Sequence, residues 1–114
     1  PPVGTDDAEF AFFNRTVHLA DGKLTSTTGE LAGSVLDMAT AVRNTYQKLH
    51  LPLDEAIRMA TQYPADYIGQ GLASHNNVIR GSLVVGAQAD FVVLNEQVEV
   101  QSTWISGKEV FSKQ

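Results

Sequence analysis

The sequence predicts an α/β protein in which strands come first, three helices follow, and strands close the chain. Three observations carry this reading. Aromatic and β-branched residues dominate positions 10–19, with Phe10, Phe12, Phe13, Thr16, Val17 and Leu19. Apolar residues then recur with a helical period at Val35, Met38, Ala39, Val42, Tyr46 and Leu49. From Val78 onward the apolar residues gather into short runs separated by glycines, as in strands joined by turns.

Taken in order, Pro1-Pro2-Val3-Gly4 reads as the middle of a loop, because proline fixes φ and glycine permits a turn. With no initiator Met there, a truncated or processed chain is expected. Residues 9–25 predict a β-hairpin, with Asp21-Gly22 as the two-residue turn and Lys23-Leu24-Thr25 starting the return strand. Ser26-Thr27-Thr28-Gly29 is a loop. Leu31-Ala32-Gly33 leads to a helix that Ser34 caps, Asp37 completing a capping box. A second helix follows Pro52, with Leu53, Ala56, Ile57 and Ala60 on one face and Asp54 and Glu55 in its first turn. A third starts around Pro64 and stops near Gly69 or Gly71. Beyond a break at residues 72–78, Leu83-Val84-Val85 predicts a strand. Phe91 to Leu94 predicts a strand buried on both faces. Val98-Glu99-Val100-Gln101 alternates as a strand, and a hairpin turns at Ser106-Gly107.

Composition excludes several functions. The 114 residues fit one domain, able to bury roughly 65% of its unfolded surface. Thirteen acids against eight Lys and Arg give a net charge of −5, which argues against a nucleic-acid partner. No apolar run approaches the roughly 18 residues of a membrane span, so no membrane partner is expected. Cysteine is absent, which removes disulfides and thiolate chemistry. A cytoplasmic location is the default.

Candidate chemistry is sparse. His18 and His75 have no ligand-type residue at i+2 or i+4, and Pro52 separates His50 from Asp54, so no metal motif results. Asp6 and Asp7 could offer a general base, but an acidic loop beside two prolines is more simply solvated. Arg43, Asn44 and Arg58 read as a solvated helix face. Asp90 reads as the holder of a turn, and Phe91, Trp104 and Phe111 as core. The best site is Leu31-Ala32-Gly33: free N–H groups ahead of a helix, beside a glycine without a Cβ, can take the polar groups of a ligand.

The segment Ala89-Asp90-Phe91-Val92-Val93-Leu94-Asn95 looks like the closing part of the metal-dependent amidohydrolases. Together with Leu31-Ala32-Gly33-Ser34, Met38, Ala41-Val42-Arg43-Asn44, Met59-Ala60-Thr61, Pro64-Ala65 and Ile68-Gly69, it resembles the C-terminal third of the N-acetylglucosamine-6-phosphate deacetylase family. The resemblance covers nearly the whole chain. Residues 81–94 are shared across amidohydrolases, whereas Leu-Ala-Gly-Ser followed by Val-Arg-Asn is much narrower.

The resemblance implies the last outer helices of a (β/α)8 barrel at residues 1–77 and strands of a small β-sandwich at 78–114. It implies removal of acetate from an amino-sugar phosphate by a divalent metal, expected to be zinc, in a homodimeric parent enzyme. It maps substrate contacts onto Leu31, Ala32 and Gly33. The catalytic Asp is expected before Pro1 and the metal ligands further upstream, so no catalytic or metal-binding residue is assigned here and residues 1–114 alone should be inactive. The alternatives are the tail of a dihydroorotase-like or deaminase-like C–N hydrolase, or a non-catalytic α+β module.

Overall fold

The computed structural model describes the backbone of residues 9–12, 15–20, 23–26, 31–75 and 78–114. The expectations placed on Pro1–Gly4, on Asp6 and Asp7, on Asp21-Gly22 and on Thr27-Thr28-Gly29 lie outside the described residues. The chain divides into two compact units, residues 1–37 and 38–114.

The first unit is an antiparallel sheet of β1 (Glu9–Phe12), β2 (Arg15–Ala20), β3 (Lys23–Ser26) and β4 (Leu31–Ser34), in that spatial order. Ala20 pairs with Lys23, the register expected of an Asp-Gly hairpin. The single strand expected before that turn is instead two, because β1 pairs back on β2 with Phe12 opposite Arg15. The larger departure is at Leu31–Ser34. This stretch forms β4, paired with β3, rather than the approach to a capped helix.

The second unit holds α1 (Met38–Gln47), α2 (Leu53–Ala60) and α3 (Gln62–Tyr67), then a sheet of β5 (Phe91–Leu94), β6 (Val100–Ile105) and β7 (Lys108–Ser112). Helix α1 packs on α2, and α2 on α3. His50, at φ 58°, carries the chain out of α1 in a left-handed conformation that His tolerates better than most residues. Helix α3 ends in a Schellman arrangement. The Gly69 N–H donates to the Asp66 carbonyl (3.1 Å), the Gln70 N–H donates to the Ala65 carbonyl (2.9 Å), and Gly69 sits at φ 75°.

The buried apolar side chains among the described residues are Ala56, Ala65 and Val98. Small side chains let backbone come close. A Cβ on Gly81 would lie 2.6 Å from both the Ala65 Cβ and the Thr61 carbonyl oxygen, so the chain after the helices lies directly against α3.

Three strand expectations fail, one of them in part. Val98 and Glu99, expected to open an alternating strand, lie in a turn with Val98 at φ 59°, and β6 begins only at Val100. Leu83-Val84-Val85 is not a strand: the Ala87 N–H donates to the Val84 carbonyl across a turn with Gly86 at φ 90°, and Leu83 is 78% exposed. The run is apolar, but the glycine turn reverses it before it can pair. Strand β5 is not buried on both faces, since the neighbouring Val92 and Val93 point to opposite sides and are 49% and 46% exposed. Phe111 likewise lies exposed on β7 rather than in the core, whereas Trp104 is half-buried and stacks on Phe91 with ring centroids 5.4 Å apart. The Ser106-Gly107 hairpin forms as expected, with both residues at positive φ and Ile105 opposite Lys108.

Two outcomes follow. In a polypeptide containing residues 38–114, Gly81→Ala and Gly86→Ala each introduce left-handed strain on the order of 1–3 kcal/mol. Only the Gly81 variant adds a clash, because nothing lies within 4 Å of a Cβ at Gly86, so its urea midpoint should fall further. Equal shifts would contradict the close packing. Residues 1–114 alone should associate through exposed Met38, Leu49, Tyr67 and Ile68, seen as concentration-dependent light scattering. A stable monomer at all concentrations would argue against it.

Candidate functional site

The candidate ligand segment is an edge strand with a bulge. Leu24 pairs with Gly33 and Thr25 with Leu31, which leaves Ala32 as the extra residue. Because β4 ends the strand order, the backbone groups on its outer side face no strand among the described residues. The free N–H groups expected at Leu31, Ala32 and Gly33 ahead of a helix therefore belong to a strand that lies at the sheet edge among the described residues, not to a helix N-terminus. Helix α1 begins four residues after Ser34, whose Oγ accepts from the Leu36 N–H at 3.1 Å in a local turn instead of capping the helix.

Arg43, expected on a solvated face, is engaged. Its Nε–H donates to the Gln97 carbonyl at 3.2 Å and its Nη2–H donates to the Val98 carbonyl at 2.9 Å. The turn it grips is unusual. Val98 is β-branched, sits at φ 59°, and is 2% exposed, a conformation costing on the order of 1–3 kcal/mol. Asn95 builds that turn: its Oδ1 accepts from the Gln97 and Glu99 N–H groups at 3.0 and 2.9 Å. Its Nδ2–H donates to Glu99 Oε1 at 2.9 Å, and this bond, with the Lys113 charge adding to it, holds the Glu99 carboxyl below the ordinary range. The sequence carried one signal for Arg43. It falls four residues after Ala39 and three before Tyr46, on the margin of the apolar stripe.

A second network joins α2 to α3. The Tyr63 hydroxyl donates to Glu55 Oε1 at 2.6 Å, the Arg58 Nε–H donates to Glu55 Oε2 at 3.1 Å, and Arg58 Nη2 pairs with Asp54 Oδ2 at 3.1 Å. Asp90 holds a turn, as its position suggested: Oδ1 accepts from the Ser106 N–H at 2.9 Å. His50 and His75 are exposed and lie outside the helices and strands. Among the described residues, no three His, Cys, Asp or Glu side chains converge where a metal ion could be held. These residues do not by themselves supply the donor set of a metal centre.

The amidohydrolase family pattern matches residues 2–110 of the 114. The chain belongs to the amidohydrolase family. Among its relatives, the N-acetylgalactosamine-6-phosphate deacetylase of Shewanella sp. (strain ANA-3) is 39% identical over 96% of this chain and 26% of its own length. The N-acetylglucosamine-6-phosphate deacetylase of Vibrio furnissii is 31% identical over 96% of this chain and 26% of its own. The crystal structure of N-acetylglucosamine-6-phosphate deacetylase from Pasteurella multocida superposes with a TM-score of 0.83 at 32% identity, covering 98% of this chain and 28% of that one. The chain thus spans about a quarter of the length of these relatives.

In this amidohydrolase chain the Glu55 network predicts a pH dependence. The Tyr63 hydrogen bond, with Arg58 adding, holds the Glu55 carboxyl below its ordinary value, and Arg58 does the same for Asp54. A lowered carboxyl contributes stability that is present above its unfolded pKa, near 4, and is lost as pH falls through the folded value. The Glu55 bond raises the Tyr63 phenol, so that contribution is present below about pH 10 and is lost as pH rises through the folded value. Tyr63→Phe should therefore lower the urea midpoint between about pH 5 and 9, with the difference shrinking toward pH 3. A difference that stays constant from pH 7 to pH 3 would contradict the network.

Proposed function

We propose that this chain is the C-terminal portion of a deacetylase acting on an N-acetylated amino-sugar 6-phosphate. The reaction is hydrolysis of the acetamide of N-acetylglucosamine 6-phosphate to glucosamine 6-phosphate and acetate, in cytoplasmic amino-sugar catabolism. The observation that carries it is the superposition of 98% of the chain on the Pasteurella multocida enzyme at 32% identity. In this reading residues 1–77 complete the (β/α)8 barrel and residues 78–114 contribute strands of the small β-sandwich. The parent protein is a homodimer.

The family is generally metal-dependent, and a divalent ion, zinc in this proposal, would polarise the amide carbonyl and activate water. Its ligands and the general-base Asp belong to residues that precede these 114. The work left to this chain is binding. Leu31, Ala32 and Gly33 would offer the N–H and C=O groups of the β4 edge to the sugar, and Gly33, lacking a Cβ, permits close approach. A specific observation favours a second substrate reading, the galactosamine epimer. The Shewanella relative, named for it, is 39% identical, against 31% for the Vibrio furnissii enzyme named for the glucosamine epimer.

The test is acetate release by the full-length protein from both epimers of the N-acetylated hexosamine 6-phosphate. Hydrolysis of at least one is expected, and residues 1–114 alone should release none. Gly33→Val should raise KM roughly tenfold, equal to about 1.4 kcal/mol of binding, because its side chain would stand between strand and sugar. No acetate from either epimer would sink the proposal, and an unchanged KM would remove Gly33 from the site.

A further inference from the structure

The turn that Arg43 grips has the hydrogen bonds of a three-residue hairpin loop. The Val98 N–H donates to the Asn95 carbonyl and the Asn95 N–H to the Glu99 carbonyl, both at 3.0 Å, with Leu94 and Val100 paired just outside. The last loop position of such a hairpin is left-handed, and glycine ordinarily fills it at no steric cost. Here Val98 fills it, at φ 59°. A β-branched residue keeps that conformation only where something else holds it. Arg43 lies in α1 and the turn joins β5 to β6, so the contact spans two elements of one compact unit.

Arg43 is placed to do the holding. A peptide group is a rigid plane, so the two planes that meet at a Cα set its φ and ψ. The Gln97 carbonyl belongs to the plane before the Val98 Cα, and the Val98 carbonyl to the plane after it. Arg43 donates to both, from Nε–H at 3.2 Å and from Nη2–H at 2.9 Å. Turning over the 97–98 peptide would bring Val98 to negative φ with its Cα in place. That motion carries the Gln97 carbonyl away from Arg43 and the Val98 N–H away from the Asn95 carbonyl. We infer that Arg43 and residues 95–99 form a two-position latch. Closed, Arg43 spans both carbonyls and ties α1 to the β5–β6 hairpin. Open, the 97–98 peptide is turned over, Val98 is relaxed, and the tie is reduced to the Val98 carbonyl. No substrate enters this latch, so it stands apart from the deacetylase reading.

The test is amide hydrogen exchange in the full-length protein, read at the Val98 N–H with residues 108–112 of β7 as the internal reference. Arg43→Lys should speed exchange at Val98 about tenfold, because a single ammonium does not fix two neighbouring carbonyls. Val98→Gly removes the strain and with it the drive to open. In that background Arg43→Lys should speed exchange at position 98 by less than about threefold, so the two substitutions are coupled. Arg43→Gln, with donors on one nitrogen only, serves the same comparison should Arg43→Lys not fold. Equal acceleration in both backgrounds would overturn the latch, since Arg43 would then fasten the turn without holding its strain. Unchanged exchange at Val98 would also overturn it. So would an acceleration that residues 108–112 share in full, which is general loosening of the sheet.

Discussion

Burial of Val98 in a left-handed turn is the constraint around which the second unit is arranged. With Ala56 and Ala65 as the other buried apolar side chains among the described residues, burial of large side chains is not what registers the helices against the sheet. Strong directional contacts do that instead. Arg43 spends a guanidinium on the turn, Asn95 closes it from within, and Asp90 secures the neighbouring β6–β7 turn through the Ser106 amide. Hydrogen bonds to charged groups are worth roughly twice neutral ones, so a half-buried arginine on two carbonyls offsets a share of the strain at Val98.

Local chemistry was the legible part of the sequence. The Ser106-Gly107 hairpin follows from a pair that accepts positive φ, Ala20 pairs with Lys23 at the two-residue spacing the sequence suggests, and Asp90 reads as a turn holder because it stands before an apolar run. The second helix starts where Pro52 permits it, and Asp54 and Glu55 do fill its first turn. What escaped was set by partners distant in sequence. Leu31–Ser34 has the letters of a helix approach, yet its pairing with β3 decides for a strand, and α1 begins only at Met38. Leu83-Val84-Val85 has the letters of a strand, yet no strand partner is there for it among the described residues. The Arg43 clamp spans 54 and 55 residues and left only a faint trace, a charge on the margin of an apolar stripe.

Exposure of apolar side chains on both helices and strands fits the chain's standing as about a quarter of its relatives' length. Met38, Met59, Val92 and Val93 are not scattered singly but recur on successive elements, which soluble monomers seldom permit. The family's sequence is thus written for surfaces that meet further protein, and in the reading advanced above those are the remaining barrel elements and sandwich strands.

The exchange of a helix N-terminus for a strand edge at Leu31–Gly33 also alters what kind of ligand group the segment suits. A helix N-terminus presents donors alone and favours an anion. A strand edge alternates donors and acceptors and has almost no net dipole, which matches hydroxyls and an acetamide better than a phosphate. In a chain of net charge −5, a phosphate dianion needs cationic partners that Leu31, Ala32 and Gly33 do not provide. Under the deacetylase reading proposed above, β4 would then suit the neutral sugar face, and the phosphate would call for cationic side chains elsewhere in the protein.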